Sequence, residues 1–228
     1  MTLVSSVDVR LDDGPHPFEA ANTRAIEANW RVEQANNAAL FDGRIMLLSS
    51  LALDGARLVG RCHEVRYATL LFWRHNRATE VAEHAYAHAA LISNDNALVA
   101  IRMGRHTAAP DSVYFAAGSF EPMDFSGGAC DMDANMVREV REETGLDIAR
   151  LRRDAQMQLF SLDKATALFR RYWLDEPAER VAGRIRDFVT AEPNPEIEEP
   201  VIIRRGEALP RGIMPHMVAF ARWHFGEG

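Results

Sequence analysis

The sequence predicts an α/β fold in which helices flank a mixed sheet, with an N-terminal α+β extension. Three observations predict it. Apolar stretches of strand length, joined by turn signals, fill much of 43–73 and 88–118. Helical patterns separate and follow them without the regular strand–helix–strand alternation of a doubly wound parallel sheet. The 228 residues are 47% hydrophobic, enough for one large domain or a domain with an extension. The division this suggests is an extension over 1–80 that packs on a main domain over 81–228.

Taken in order, residues 1–17 read as a short strand and a loop, because Asp12, Asp13, Gly14, Pro15 and Pro17 interrupt any regular element. Residues 18–40 carry Phe18, Ala25, Ile26, Trp30 and Val32 as an approximate helical stripe. Asp54-Gly55 marks a hairpin between "MLLSSLAL" and "ARLVGRCHEV", and "YATLLFW" reads as a third strand. Residues 76–86 are helix or loop. A second hairpin turns at Asn94-Asp95-Asn96, and "SVYFAAGSF" reads as a strand ending at Gly118. A loop over 119–132 leads into a helix that ends at Gly145. "AQMQLFSLD" and "ALFRRYWLD" are strands. Residues 176–191 form an amphipathic helix with Pro177 in its first turn. "PNPEIEEPVII" runs from loop to strand, and a last helix covers roughly 213–225.

Composition narrows the function. The net charge of -7 disfavours a nucleic-acid partner held by bulk electrostatics. Lys164 is the sole lysine among 26 basic residues; arginine suits two-pronged phosphate contacts. Cys62 and Cys130 match no metal-ligand or disulfide spacing and are expected as free thiols. No basic segment leads into an apolar core at the N-terminus, and no 18-residue apolar run exists. The expectation is a cytoplasmic protein without a membrane partner. A homodimer is compatible with the sequence.

The chemistry concentrates in "REVREETGL", residues 138–146. Glu139, Glu142 and Glu143 lie three and four residues apart, so they share one side of a helix and repel by roughly 0.2–0.5 kcal/mol per pair. Asp131 or Asp133 can cap that helix, and Gly145 sits where a left-handed residue usually ends one. Clustered hard oxygen ligands suit Mg²⁺ or Mn²⁺. The plain alternative is an acidic surface partnered by Arg138 and Arg141.

This stretch resembles the signature of the Nudix hydrolases, G-x5-E-x7-R-E-U-x-E-E-x-G-U with U aliphatic. Residues 138–146 match its second half at every specified position. Gly118 in "AAGSFEPMD" stands for the first glycine, and Asp124 falls six residues on, where the pattern has Glu. Thirteen residues, 125–137, then precede Arg138 where the pattern has seven, an insertion of six containing Gly127-Gly128. Strict spacing would put Cys130 at the glutamate position. Asp124 and Asp131 are both candidates for that role.

The resemblance implies an α/β/α sandwich around a mixed sheet and water attack on the diphosphate of a nucleoside diphosphate linked to a moiety X, with Mg²⁺ or Mn²⁺. It implies Glu139 and Glu143 as main metal ligands, Glu142 as a further ligand or base-side carboxylate, Arg138 as their orienting partner and Gly118 as the glycine that lets the loop fold over the helix. The base is expected on a later loop, with Glu196, Glu198 and Glu199 as candidates and Glu198 assigned. Phosphate-binding arginines are expected at Arg102, Arg74 or the Arg170-Arg171 pair. "NWRVEQANNAALFDG" loosely resembles a segment of a UDP-sugar-splitting branch, which would make X a sugar. A nucleotide sensor of the same fold without turnover is the alternative. The histidines show no grouping and are expected at exposed positions.

Overall fold

The protein is described by a computed structural model over residues 1–227. In chain order it has strands β1 (Thr2–Val4) and β2 (Ser6–Leu11), helix α1 (Pro17–Asn36), strands β3 (Arg44–Asp54) and β4 (Arg57–Arg66), and helix α2 (Tyr67–His75). Strands β5 (His84–Ile92), β6 (Leu98–Met103), β7 (Val113–Tyr114), β8 (Phe125–Ser126) and β9 (Ala129–Cys130) follow. Helix α3 (Met132–Thr144), strands β10 (Arg152–Arg153), β11 (Met157–Leu162) and β12 (Ala165–Trp173), helix α4 (Ala178–Ala191), strand β13 (Ile197–Ile203) and helix α5 (Pro215–Phe225) complete it.

These elements form two mixed sheets. The main sheet runs β1-β11-β12-β5-β6-β13, with β10 and β7 at its margins. The second runs β3-β4-β2-β9-β8. The main sheet is buried on both faces by side chains that alternate along its strands. Ala87, Ala89 and Leu91 of β5 pack with Met136 and Val140 of α3 and with Val181 and Ile185 of α4. Ala90 and Ile92 face the other way, with Phe169, against Met217 and Phe220 of α5. The result is an α/β fold with helices on both sides of a mixed sheet. Helices α1 and α2 cover the second sheet through Phe18, Leu70 and Trp73 and pack on each other through Ile26, Trp30, Ala68 and Leu71.

Neither sheet stays on one side of residue 80. β1 pairs with β11 in the main sheet, and β9 pairs with β2 in the second. The six-residue insertion before α3 is the reason for the second crossing. Residues 125–130 form the β8–β9 hairpin, turning at Gly127 and Gly128, both with positive φ. The hairpin leaves and returns at one point, where the Asp131 N–H donates to the Asp124 carbonyl at 2.7 Å. The insertion therefore loops out onto the second sheet without displacing the start of α3.

Two sequence expectations fail here. "YATLLFW" is helix α2, not a strand. Ala68, Leu70, Leu71 and Trp73 are buried, and a short continuous apolar run does not reveal its own period. The first turn of α2 has no cap within its own sequence. Asp42 instead accepts from the Ala68 N–H at 2.9 Å, and Glu19 accepts from the Arg66 N–H at 3.2 Å. The strand expected over 112–120 is regular only at Val113–Tyr114. Beyond it the chain fills a split in the main sheet. β5 and β6 pair only where Leu91 and Ile92 meet Val99 and Leu98. Toward His84 and Met103 they diverge, and the loop ending at Ser119, which bridges to Tyr86, enters the gap.

Candidate active site

A cleft of about 950 Å³ opens at that split, in the size range of small-molecule sites. Helix α3 forms one wall. Asp131 caps it by accepting from the Ala134 N–H at 3.0 Å, and Gly145 ends it with φ 70°. A Cβ at 145 would collide with the Phe188 ring, so packing and backbone both require glycine there. Met132, Met136 and Val140 anchor the helix in the core. Glu139 and Glu143, one turn apart, are each only 7% exposed and line the cleft.

The Glu139 carboxylate lies directly on Gly118, where any Cβ would fall inside it. Glu143 accepts from the Ala117 N–H at 3.1 Å. The glycine loop and the glutamate helix thus hold each other. Burial pushes Glu139 up to about 8 against the pull of Arg138, with the charges of Glu142, Glu121 and Asp124 adding to the rise. Burial also raises Glu143 well above the carboxylate range, helped by the charges of Glu139 and Glu196. Two buried carboxylates whose ionised forms are this costly are a donor set that a cation would satisfy.

Arg138 meets four acids. Its guanidinium lies 2.8 Å from Glu139, 3.0 Å from Glu142, 3.0 Å from Asp124 and 3.9 Å from Glu121. Asp124 is 3% exposed and also accepts from Asn135 Nδ2 at 2.9 Å and from the Glu121 N–H at 2.9 Å. The acid six residues after Gly118 is therefore the one on Arg138, while Asp131 is the helix cap. Cys130 is half-buried in the hairpin. Glu142 is the most open of the three helix glutamates, its side chain 57% exposed.

Among the described residues no three His, Cys, Asp or Glu side chains already converge on one ion position. That is compatible with Mg²⁺, which commonly takes one or two carboxylates and fills its shell with water and substrate phosphate.

Several expected residues lie elsewhere. Arg102 is a strut, donating to Glu199 at 3.0 Å and to the Arg211 carbonyl at 3.0 Å, and it does not line the cleft. Arg170 and Arg171 are tied to Asp133 and Asp154. Glu198 borders a separate depression of about 370 Å³ beside Gly104 and His106. Of the "PEIEEP" acids it is Glu196 that lines the cleft, close enough for its charge to help raise Glu143. Arg74 does line the cleft, as does Gly118.

Sequence reasoning missed the rest of the lining. His84, Tyr86 and His88 alternate onto one face of β5 and meet His216 of α5. The three histidines are buried rather than exposed and Tyr86 is half-buried, and β5 was expected to begin only at His88. Burial depresses His84 to about 3, with Arg74 and Arg77 adding to the effect, and depresses His216 to about 4. These imidazoles are neutral at pH 7. Their spacing of two along a strand was the signal that could have found them.

No protein-family model matches the chain, and no curated protein matches it. Solved structures of related shape include DR0079 from Deinococcus radiodurans, 16% identical, covering 80% of this chain and 99% of that one with a TM-score of 0.46. A MutT protein from Methanosarcina mazei Go1 is 14% identical over 63% of this chain and 91% of its own, with a TM-score of 0.36. A bifunctional NMN adenylyltransferase/ADP ribose pyrophosphatase from Francisella tularensis is 17% identical over 55% and 35%, with a TM-score of 0.35. At TM-scores below 0.5, any functional assignment rests on the chain's own residues.

Proposed function

We propose that the protein is a divalent-metal-dependent pyrophosphohydrolase of the Nudix type, cleaving the diphosphate bond of a nucleoside diphosphate derivative. One observation carries the reading. The two carboxylates that the "REVREETGL" resemblance marks as metal ligands, Glu139 and Glu143, are the two buried acids of α3 that line the large cleft, pressed onto the signature glycine. An ordinary solvated acidic face would leave them exposed.

Glu139 and Glu143 would hold Mg²⁺ or Mn²⁺, with Glu142 within reach as a further ligand. Such an ion neutralises charge on the diphosphate oxygens and lowers the pKa of bound water. Arg138, engaged by four acids, keeps Glu139 and Glu142 in place rather than binding substrate. Arg74 is the cleft arginine available to a phosphate. Glu196 replaces Glu198 as the acceptor of the attacking water's proton, because it is the acid of that loop that lines the cleft. Water adds to one phosphorus, the bridging P–O bond breaks, and two phosphate monoesters leave.

The six-residue insertion and Cys130 at the strict glutamate position would favour a sensor without turnover if they disrupted the signature. The insertion leaves the helix start undisturbed, and Asp124 engages Arg138 where Cys130 could not. The test is phosphomonoester release from a panel of nucleoside diphosphate derivatives with Mg²⁺ or Mn²⁺. Turnover by wild type and its loss in Glu143→Gln support hydrolysis. Two equally inert proteins would overturn it, and a nucleotide that still raised Tm would then favour the sensor.

A further inference from the structure

Among the described residues, Phe41 is the most exposed of the large hydrophobic side chains, at 83%, and of those exposed it alone lines the cleft. The other aromatic side chains of the lining, Tyr67, Trp73 and Tyr114 among them, are buried or half-buried. A single phenyl ring in water is ordinary on a protein surface. This one stands at a site and is held there. The acids of α3 and Arg74 answer the charged parts of a nucleotide, and Phe41 is the open apolar surface left for its neutral, planar part.

The loop that carries Phe41 joins α1 to β3 and is pinned on both sides of it. On one side Leu40 packs against Ile26 and Trp30, and its N–H donates to the Asn37 carbonyl at 3.2 Å. On the other, Asp42 accepts from Arg66 Nε at 2.6 Å and from the Ala68 N–H at 2.9 Å, and the Gly43 carbonyl accepts from the Tyr67 N–H at 2.9 Å. Asn37 Nδ2 donates to the His106 carbonyl at 2.8 Å, which ties this loop to the one whose Thr107, Ala108 and Ala109 also line the cleft. The ring lies beside Gly43, where a Cβ would stand 3.4 Å from its Cδ1 and Cε1. A loop fixed this firmly forgoes the gain of burying its phenyl ring and keeps that ring at the cleft.

We infer that Phe41 is the platform on which the ligand's nucleobase stacks, so that the segment between α1 and β3 recognises the base while α3 handles the diphosphate. Stacking uses the face of the base and reads no hydrogen-bonding edge, so purines and pyrimidines both bind, purines with the larger area. The pinned backbone keeps the ring in place before the ligand arrives, which lowers the ordering cost of binding. The inference rests on the proposed function for the class of ligand, but the platform can be measured without turnover.

Calorimetry in Mg²⁺ with ribose 5-phosphate, UMP and AMP tests it, because the first lacks the base. The base is expected to tighten Kd about tenfold in wild type, for AMP at least as strongly as for UMP. Phe41→Ala should erase that gain while leaving Kd for ribose 5-phosphate within about twofold. Phe41→Trp should keep the gain and add tryptophan emission that UMP and AMP quench and ribose 5-phosphate does not. The side chain is exposed, so both variants should keep the wild-type Tm. No gain from the base in wild type, a gain unchanged in Phe41→Ala, or an equal loss of ribose 5-phosphate binding in that variant overturns the inference. A gain that Phe41→Ala removes, with no hydrolysis of any nucleoside diphosphate derivative, leaves the platform standing and removes the proposed reaction alone. Hydrolysis without any gain from the base does the reverse.

Discussion

The two walls of the cleft are built on opposite principles. The α3 wall is acidic, local in sequence and wired internally: Arg138, Glu139 and Glu142 lie within five residues and bond one another, and Asp124 and Gly118 complete the set. The α2–β5 wall is basic or neutral, is drawn from two consecutive elements that His216 of α5 joins from far along the chain, and, among the described residues, leaves Arg74 and Arg77 without a carboxylate partner. The first wall offers the oxygen donors that a cation would take, and the second offers the N–H donors that an anion would take. A ligand carrying phosphates and a metal supplies both, so the contrast itself points to the class of molecule that fits.

The largest break in the comparison comes from removing charge on the acidic wall. Glu143→Gln keeps the acceptor for the Ala117 N–H but loses the negative charge. Metal-dependent turnover is expected to fall about 10³-fold, since such ions contribute several kcal/mol to the transition state. Steady-state kinetics with Mn²⁺ titration check this. A fall below tenfold would mean that Glu143 serves structure alone.

Next in size is Asp124→Ala, which strips Arg138 of its most buried partner. Removing one member of a buried ion pair costs about 3–5 kcal/mol of stability, and metal affinity should drop about 10–100-fold, as for groups that orient ligands. Denaturant melts and Mn²⁺ binding report the two effects. Gly118→Ala acts on the same assembly from the other side. Its Cβ must displace the Glu139 carboxylate, so a comparable loss of metal affinity is expected with a smaller loss of Tm.

Acidity should separate the walls by direction. Glu139 is raised to about 8 in the folded protein from an ordinary 4.5, so between those values the folded state holds a proton that the unfolded state has released. Stability of the metal-free protein must then fall as pH rises through that window, by about 1.4 kcal/mol per pH unit for one proton. Added Mn²⁺ should flatten the slope, and Glu139→Gln should reduce it. The histidines act in the reverse window. His84 is depressed to about 3, so the unfolded state takes up the extra proton below about 6.5, and stability should fall with acid there. His84→Phe should soften that acid limb alone.

The same contrast explains what the sequence disclosed. The acidic wall was legible because its ligands sit at helical spacing between a capping aspartate and a terminating glycine, all within one stretch. The mixed sheet and most helices were legible from periodicity. Helix α2 was not, because its N-terminal groups are satisfied by Asp42 and Glu19, which no local pattern announces. Glu198 was expected from its place in an acidic loop, whereas Glu196, just ahead of β13, is the acid of that loop that lines the cleft. Arg102 was expected to hold phosphate, yet Glu199 on the neighbouring strand already claims it. The basic wall required knowing that β5 begins at His84 and that α5 returns to cover His88.

The smallest expected effect tests whether the walls depend on one another. The β8–β9 hairpin pairs with β2 of the second sheet, which the signature region also reaches where Phe120 accepts from the Met46 N–H at 2.7 Å, and on which α2 packs. Excising residues 125–130 would join Asp124 to Asp131 at a place where their backbones already meet. The Leu11 N–H would lose the Gly128 carbonyl at 2.9 Å, and the edge of β2 would be bared. At about 0.2–1 kcal/mol per lost cross-strand pair, the cost is roughly 1–2 kcal/mol, or a few degrees in Tm at this chain length. If the hairpin only covers an edge, kcat and KM should change less than about twofold, because Asp124 and Arg138 keep their contact. A rise in KM far beyond the stability loss, with kcat intact, would show instead that β2 and β9 set the distance between the arginines and the glutamates, so that the six inserted residues tune the span of ligand the cleft accepts.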